Sequence, residues 1–290
     1  MSNPWLMAIR PRTLPAAAAP VVVGAVMAWR DGAGHALAAA CALAGALLIQ
    51  IGTNLANDYF DFQKGADTAE RIGPVRVTQA GLIAPSTVRN SFILAFALAA
   101  LVSLYLVARG GWPIVAIGIF SIAAGILYTA GRHALGYLGL GDIFVLVFFG
   151  PVAVAGTYYV QALRLDPAAV IAGIAPGLLS TAILCVNNLR DIDADRKAGK
   201  RTLAVRFGRV FARWEYFLCF LGASLVPFCF VTGPRAHPWT LLAALTLVAA
   251  APVIRSVFIF SDGPGLNNAL AATGKALLIY AVLFSIGWCL

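Results

Sequence analysis

The sequence predicts an all-α, polytopic membrane protein, and its composition and hydropathy pattern carry that prediction. Of its 290 residues, 61% are hydrophobic and only 11% are charged, and the mean hydropathy is +0.86. Soluble globular chains have about 45–50% apolar and about 25% charged residues. The apolar residues form continuous runs instead of the dyad alternation of barrel strands, so the spanning segments are predicted to be helices. This composition excludes a soluble enzyme domain, an intrinsically disordered regulatory protein and a nucleic-acid-binding protein.

Nine apolar segments approach the length of about 20 residues that crosses roughly 30 Å of hydrocarbon. Turn signals separate them, among them Asp31-Gly32, Gly110-Gly111 and Gly233-Pro234. The predicted spans are residues 13–29, 36–58, 90–108, 112–130, 138–161, 168–189, 212–232, 238–258 and 266–288. We treat residues 1–290 as a single integral-membrane domain built from two weakly related halves, about 13–130 and 138–288.

The distribution of lysine and arginine predicts the orientation of these spans. The N-terminus and the 2–3, 4–5, 6–7 and 8–9 connections hold 16 of the 21 basic residues, whereas the opposite connections hold 4. Basic residues favour cytoplasmic loops, so the N-terminus is predicted to be cytoplasmic. An odd number of spans then places the C-terminus outside. Much of the net charge of +9 follows from this topology and from attraction to anionic lipid, and it does not indicate a nucleic-acid partner.

The carboxylates are concentrated in two short windows of the sequence. Seven of the 12 acidic residues fall within 18 residues, and each window follows the predicted cytoplasmic end of a span. The first window contains Asp58, Asp61, Asp67 and Glu70, and the second contains Asp191, Asp193 and Asp195. This clustering is the strongest functional signal in the chain.

Both windows place polar side chains along one face of a helix. Gln50, Asn54, Asn57/Asp58 and Asp61 recur every three to four residues, as do Asn187, Asp191 and Asp195. Polar groups on a spanning helix are costly toward lipid, so each stripe should face the bundle interior or a wet cavity. Carboxylate and amide oxygens suit Mg²⁺, which proteins commonly hold together with substrate phosphates. Two facing stripes thus predict two Mg²⁺ ions around a diphosphate, although solvated helix ends paired with basic residues would show the same pattern.

Each acidic window is followed by a basic one. Arg71 and Arg76 follow the first, and Arg196, Lys197, Lys200 and Arg201 follow the second. Such side chains are the usual partners of phosphate oxygens, but each is equally explained as a cytoplasmic topology signal. The apolar helices would house an isoprenoid tail. An aromatic ring such as Tyr128, at the cytoplasmic end of the fourth span, would stabilise a carbocation through its π face.

Longer motifs identify a family resemblance over essentially the whole chain. The first motif is Asn57-x3-Asp61-x5-Asp67, and the second is Asp191-x3-Asp195. They resemble the two aspartate-rich motifs of the UbiA superfamily of intramembrane aromatic prenyltransferases, which have nine helices around a central cavity. Benzoate-type members usually carry N-x3-D-x3-D, whereas this chain has Gly65 at the third position and Asp67 two residues later.

That departure, together with further motifs, resembles the branch that uses 1,4-dihydroxy-2-naphthoate in menaquinone biosynthesis. The additional motifs are Arg10-Pro11-Arg12-Thr13, Arg71-Ile72-Gly73-Pro74-x-Arg76, Tyr137-x-Gly139-x-Gly141-Asp142 and Gly199-Lys200-Arg201-Thr202. The resemblance implies transfer of a polyprenyl group from polyprenyl diphosphate to the carboxylated ring carbon, with loss of CO₂ and diphosphate, giving demethylmenaquinone. It also implies a bacterial cytoplasmic membrane location with the site facing the cytoplasm.

The resemblance further implies a role for each candidate site residue. The expected Mg²⁺ ligands are Asn57, Asp61, Asp67, Asp191 and Asp195. The residues expected to bind the diphosphate or the acceptor carboxylate are Lys64, Arg71, Arg76, Lys200 and Arg201, with Tyr128 as an aromatic contact. Asp67 is the carboxylate expected to take the phenolic proton, and Asp191 and Asp195 complete the expected catalytic set.

Two alternatives differ in substrate or in class. A prenyltransferase of the same superfamily would use another acceptor such as 4-hydroxybenzoate, which the position of Asp67 and the Arg71–Arg76 run disfavour. An ion-coupled transporter would also carry intramembrane acids, but transporters favour midplane sites on broken helices. Here both acidic windows lie at helix ends on one face of the membrane.

Overall fold

The computed structural model describes residues 3–66, 73, 75–132, 134–233 and 236–290, and in these ranges every regular element is helical. The α-helices are α1 (Pro4–Ile9), α2 (Leu14–Arg30), α3 (Ala36–Gln63), α4 (Pro85–Gly110), α5 (Trp112–Leu127), α6 (Leu135–Leu138), α7 (Gly141–Phe148), α8 (Pro151–Ala162), α9 (Pro167–Arg190), α10 (Ile192–Lys197), α11 (Leu203–Leu225), α12 (Leu245–Ala249), α13 (Ala251–Ile259) and α14 (Gly263–Cys289). Short 3₁₀ helices span Pro11–Thr13, Val226–Phe230 and Pro238–Ala244.

Seven helical segments of the described chain are long and apolar enough to cross a membrane, which makes the chain an integral membrane protein. They correspond to seven of the nine predicted spans. Of the other two, the span at 112–130 becomes the 16-residue helix α5, shorter than the length a perpendicular crossing requires. The span at 212–232 becomes α11, whose first turns carry Arg206, Arg209 and Arg213. Nine crossings and a cytoplasmic N-terminus therefore stay predictions.

The predicted span at 138–161 is not one continuous helix. It divides into α7 and α8 at Gly150, which has φ −119° and ψ −110°, and α8 begins at Pro151. Proline lacks the N–H that would continue the α-helical ladder, and it disfavours helical geometry in the residue before it. The chain changes direction at this break, and α9 packs against the break.

Small residues allow α9 to approach this break at backbone distance. A Cβ atom on Gly173 would lie 2.6 Å from Cα of Pro151, and one on Gly177 would clash with the carbonyl oxygen of Leu146. Close approach at small residues is a usual way for membrane helices to associate, since lipid provides no hydrophobic drive between them. The α9 helix therefore forms the centre of the bundle, and it also packs along α11 and α14.

The outward faces of the bundle are apolar. On α4, Leu94, Leu101 and Leu104 are 59%, 62% and 62% exposed, and their spacing of seven and three residues puts them on one face. A soluble monomer rarely exposes such a continuous apolar surface, whereas lipid solvates it. The polar residues of the chain consequently have to be satisfied inside the bundle or at its ends.

Candidate active site

The polar stripe of α3 is buried inside the bundle. Gln50, Asn54, Asp58 and Asp61 are 7%, 4%, 1% and 1% exposed. Asn54 Nδ2 donates to the Ile9 carbonyl at 2.8 Å and to Thr13 Oγ1 at 3.1 Å. The stripe thus holds the N-terminal segment against α3, on the cytoplasmic side that the charge distribution predicts.

Asp58 binds backbone rather than another side chain. Its Oδ2 accepts from Val77 N–H at 3.2 Å and its Oδ1 accepts from Thr78 N–H at 3.1 Å. These bonds fasten the segment before α4 to the end of α3. Arg76 comes just before that segment, so Asp58 fixes the backbone next to Arg76, whose guanidinium contacts Asp61.

Asp61 and Asp195 face a common cation. Lys200 Nζ lies 3.4 Å from Asp61 Oδ2 and 3.4 Å from Asp195 Oδ1. Arg76 Nη2 contacts the same Asp61 oxygen at 3.2 Å, and the Tyr137 hydroxyl donates to the other at 3.1 Å. The fold therefore brings the two acidic windows together across 134 residues of chain, with positive charge between them.

Asp191 is held by a fork of hydrogen bonds from its neighbour Arg190. The guanidinium donates from Nε to Asp191 Oδ1 at 2.8 Å and from Nη2 to Oδ2 at 2.7 Å. It also donates to Asn187 Oδ1 at 2.5 Å and to Asn267 Oδ1 at 2.8 Å. A paired arginine fork of this kind has a defined geometry, and here it joins the end of α9, the second acidic window and the start of α14.

Lys64 and Lys200 each place an ammonium group near the same aromatic ring, that of Tyr137. Lys64 Nζ stands 4.1 Å from the Tyr137 ring centroid and donates to the Gly131 carbonyl at 2.8 Å. Lys200 Nζ is 5.2 Å from the same centroid. Partial burial lowers the pKa of Lys64, and the nearby Asp61 carboxylate opposes that shift. Both ammonium groups therefore lie within cation–π distance of the Tyr137 ring.

Two cavities adjoin inside the bundle, and Arg76, which contacts Asp61, connects the larger one to this cluster, although neither wall includes Asp61, Asp195 or Lys200. A polar cavity of about 570 Å³ is lined by Arg10, Arg12, Arg76 and Arg190 among others. An apolar cavity of about 190 Å³ runs between α2, α3, α5, α7 and α8 toward the opposite end of the bundle, with small residues such as Gly118 and Gly156 in its wall. The residues common to both linings are Gln50, Thr53, Tyr128, Val145 and Phe149. The two cavities therefore adjoin at these side chains.

The structure brings together most of the predicted site residues that it describes. Asn57, Arg76 and Tyr128 line the polar cavity. Asn57 Oδ1 accepts from Thr129 Oγ1 at 2.8 Å, beside the Asp61 and Asp195 cluster. Asp67 and Arg71 lie outside the described residues. Arg201 is exposed and its side chain is not part of the cavity wall, because its backbone N–H is tied to the Tyr137 carbonyl at 2.9 Å.

Several cavity residues are not among the predicted site residues. They are Arg10, Arg12, Gln50, Ser180, Asn187, Arg190 and Asn267. Asn267 stands in an apolar stretch of the last span, and a polar residue inside a spanning helix is a detectable signal. Ser180 carries no such signal, since an isolated serine in an apolar helix is common.

A second cluster of candidate ligands lies away from both cavities. In the described part of the chain, one group of potential metal ligands has its ligating atoms within 4.8 Å of one another, and it consists of Asp142, Cys185 and Glu215. None of the three lines either cavity. A mixed sulfur and oxygen set does not suit Mg²⁺, which prefers oxygen ligands, so this cluster is not the predicted magnesium site.

Comparison with known protein families and sequences shows what the chain is similar to. Residues 17–273 match the model of the UbiA prenyltransferase family. A 1,4-dihydroxy-2-naphthoate octaprenyltransferase from Escherichia coli (strain K12) is 43% identical over 98% of this chain and 94% of its own length. A protein of the same name from Mycobacterium tuberculosis is 41% identical over 96% of this chain and 94% of its own length. The family resemblance in the sequence motifs is confirmed.

Solved structures share the fold. A UbiA homolog from Aeropyrum pernix K1 aligns with a TM-score of 0.69 at 15% identity, over 95% of this chain and 96% of that one. A UbiA homolog from Archaeoglobus fulgidus bound to DMAPP and Mg²⁺ aligns with a TM-score of 0.65 at 15% identity, over 99% of each chain. At this level of identity the likeness concerns the arrangement of the helices.

Proposed function

The chain belongs to the UbiA prenyltransferase family, and we propose that this prenyltransferase transfers a polyprenyl group from polyprenyl diphosphate to 1,4-dihydroxy-2-naphthoate. Carbon dioxide and diphosphate leave, and the product is the prenylated naphthalenediol, which is the two-electron-reduced form of demethylmenaquinone. Relatives named for this activity, 43% and 41% identical over nearly the whole chain, support the choice of acceptor. The site faces the cytoplasm of a bacterial membrane in this proposal.

The observation that carries the proposal is that a cavity lined by arginines adjoins an apolar cavity, with one of those arginines, Arg76, paired to Asp61. A polyprenyl diphosphate has a charged end and a long hydrocarbon end, and the two cavities offer each a matching wall. Arginines suit the anionic groups of both substrates.

The residues near Lys200 fit Mg²⁺. The carboxylates of Asp61 and Asp195 already face one shared cation, and both supply the hard oxygen ligands that magnesium prefers. The ions would be held by Asn57, Asp61, Asp191 and Asp195, and by Asp67 from outside the described residues. When bound, Mg²⁺ would neutralise the charge that develops on the departing diphosphate.

The basic residues bind and orient the anionic groups. Lys64, Arg71, Arg76, Lys200 and Arg201 contact diphosphate oxygens or the acceptor carboxylate in this proposal. Lys200 and Arg76 are placed for the role because each already pairs with Asp61, at 3.4 Å and 3.2 Å. Arg201, which is exposed, would reach the diphosphate only from the rim of the site.

The bond changes balance without an external oxidant. The bond between the first prenyl carbon and the diphosphate oxygen breaks, and its electron pair leaves with diphosphate. The ring carbon that bears the carboxylate forms the new carbon–carbon bond. Loss of that carboxylate as CO₂ returns an electron pair to the ring and restores its aromaticity. Asp67 takes the phenolic proton beforehand, which makes the ring more nucleophilic, and returns it to the same oxygen after CO₂ has left. Tyr128 places its π face near the allylic cation.

A competition assay tests the proposal. Detergent-solubilised protein receives a polyprenyl diphosphate, Mg²⁺, and equimolar 1,4-dihydroxy-2-naphthoate and 4-hydroxybenzoate, and the lipid products are weighed by mass spectrometry. We expect a prenylated naphthalenediol that has lost one CO₂, and no product when EDTA replaces Mg²⁺.

The other outcomes are distinct. Prenylated hydroxybenzoate would preserve the fold and the chemistry but overturn the acceptor. A naphthoate product that keeps its carboxylate would overturn the decarboxylation step. Absence of product with either acceptor would contradict the proposed substrates as a whole.

A further inference from the structure

Two buried polar atoms, on residues that line the polar cavity, have no hydrogen-bond partner among the residues that the structure describes. They are Gln50 Oε1 and Ser180 Oγ, on side chains of residues that are 7% and 2% exposed. Buried polar groups are almost always paired, and leaving one unpaired costs free energy. Both residues line the polar cavity, so a small movement of either side chain would bring its unpaired atom into contact with a ligand there.

The orientation of the Gln50 amide follows from its neighbour. Thr13 Oγ1 donates its single proton to the Arg10 carbonyl at 3.0 Å, so every other group that approaches it must be a donor. Asn54 Nδ2 is one such donor, at 3.1 Å, and Gln50 Nε2 is the other, at 3.3 Å. Because the Gln50 nitrogen is committed to Thr13, its oxygen is left as an acceptor. The cavity must supply a donor to it.

Ser180 departs from the behaviour of its neighbour on α9. A hydroxyl in a helix interior commonly bonds to the carbonyl four residues earlier, as Thr181 Oγ1 does to Gly177 at 3.0 Å. Ser180 makes no such bond. Its hydroxyl therefore retains both a donor and an acceptor function at the cavity wall.

Gln50 lies where the reaction has to take place. It belongs to the wall common to the polar and apolar cavities, with Thr53, Tyr128, Val145 and Phe149. The reacting carbon of a polyprenyl diphosphate joins the hydrocarbon tail to the charged group, so it must lie near this junction. The ring carbon that attacks it must lie there too, which puts the acceptor ring within reach of the Gln50 side chain.

We infer that Gln50 Oε1 accepts a hydrogen bond from a ring hydroxyl of the aromatic acceptor, and that Ser180 Oγ bonds a second oxygen substituent of the same ring. This inference rests on the proposed function and specifies which protein groups recognise the hydroxylated ring. A hydrogen bond from the phenol to an amide oxygen shifts electron density toward the ring. Gln50 thus binds the acceptor and selects hydroxylated rings over rings that lack the hydroxyl.

A substrate and variant cycle tests the inference. The kcat/KM of wild type and Gln50→Leu is measured with 1,4-dihydroxy-2-naphthoate and with 1-hydroxy-2-naphthoate and 4-hydroxy-2-naphthoate, each of which lacks one ring hydroxyl. We expect Gln50→Leu to lower kcat/KM for the dihydroxy acceptor about tenfold to a hundredfold, mainly through the acceptor KM. For the analogue without the bonded hydroxyl the loss should be about threefold or less, and the KM of the polyprenyl diphosphate should be unchanged.

Matched controls separate recognition from stability. Gln161→Leu removes a buried glutamine that bonds at the opposite end of the bundle, where its Oε1 accepts from His35 N–H at 3.2 Å. Ser224→Ala removes a helix hydroxyl bonded to the Phe220 carbonyl at 2.9 Å, outside both cavities. Neither should change the ratio of kcat/KM between the acceptors. Ser180→Ala removes one oxygen atom, and we expect it to raise the acceptor KM about fivefold or more.

The outcomes distinguish the inference from the proposed function. Loss of activity by the same factor for all three acceptors would make Gln50 a structural residue and overturn the inference, as would an unchanged ratio. If Gln50→Leu does not accumulate in the membrane, the test relies on Ser180→Ala. An acceptor KM of Ser180→Ala equal to that of wild type overturns the inference. Wild-type protein that prenylates none of the naphthoates contradicts the proposed function itself and the inference with it.

Discussion

Asp58 is a buried carboxylate whose two oxygens accept from backbone N–H groups of the segment that leads into α4. Truncation to alanine leaves both N–H groups without an acceptor, which costs about 2 kcal/mol or more. We expect Asp58→Ala to lower the unfolding temperature in detergent and to raise the KM of the polyprenyl diphosphate, because Arg76 loses its position. Asp58→Asn keeps one acceptor oxygen and should lie between wild type and alanine in both measurements. Equal unfolding temperatures for all three proteins would contradict this role.

Asp191 and Asp193 form a matched pair of acids two residues apart. Asp191 is buried and held by Arg190, whereas Asp193 is 61% exposed at its side chain and pairs with Arg209 at 2.7 Å. We expect Asp191→Asn to reduce turnover about 10²-fold or more, because a proposed magnesium ligand loses its charge. Asp193→Asn should retain most of the activity.

Expression and Mg²⁺ titration complete the Asp191 measurement. Asparagine still accepts a hydrogen bond from Arg190, so Asp191→Asn should accumulate near the wild-type level. The Mg²⁺ concentration for half-maximal rate should rise for Asp191→Asn and stay constant for Asp193→Asn. Full activity in Asp191→Asn would exclude Asp191 from the metal site.

At the scale of elements, the contact between α9 and the break from α7 to α8 depends on glycine. Any Cβ at Gly177 meets the carbonyl oxygen of Leu146, a backbone atom that cannot rotate away. We expect Gly177→Ala to destabilise the protein and to lower its unfolding temperature by about 2–4 °C for each kcal/mol lost. Gly118→Ala is the control, since nothing lies within 4 Å of its added Cβ and alanine favours helix by about 1 kcal/mol. Equal unfolding temperatures for Gly177→Ala and Gly118→Ala would show that α9 shifts to make room for the added Cβ.

At the scale of the whole molecule, the distribution of basic residues predicts the direction of the helices. An odd number of crossings with a cytoplasmic N-terminus puts Leu290 outside. We expect a full-length chain with alkaline phosphatase fused after Leu290 to be active, because that enzyme forms its disulfides only in an oxidising compartment. A fluorescent protein at the same position should stay dark. The reverse pattern would show that either the number of crossings or the orientation is wrong.

Much of the candidate site is readable in the sequence because its residues are polar in an apolar chain. The stripe of α3 and the Asn187-Asp191-Asp195 face are visible as spacing, and the family resemblance follows from their motifs. Gln50 belongs to that stripe, but its free oxygen depends on how Thr13 uses its proton, which spacing does not reveal. The break at Gly150 was missed because the hydropathy of the segment is continuous across it. The two related halves of the chain stay a prediction.

The sequence by itself determined that this protein lies in lipid, that it is helical and which family it belongs to. A segment in lipid must be apolar and must satisfy its backbone hydrogen bonds within its own helix, and both are local properties of the chain. Only the tertiary structure decided which side chains share a space. Asp61 and Asp195 contact one Lys200, and Arg190 joins α9 to Asn267 of α14. These partners are far apart in sequence, so their meeting depends on how the helices pack. Packing in turn depends on small residues such as Gly173 and Gly177, whose effect appears only when a neighbouring backbone occupies the space that a side chain would need.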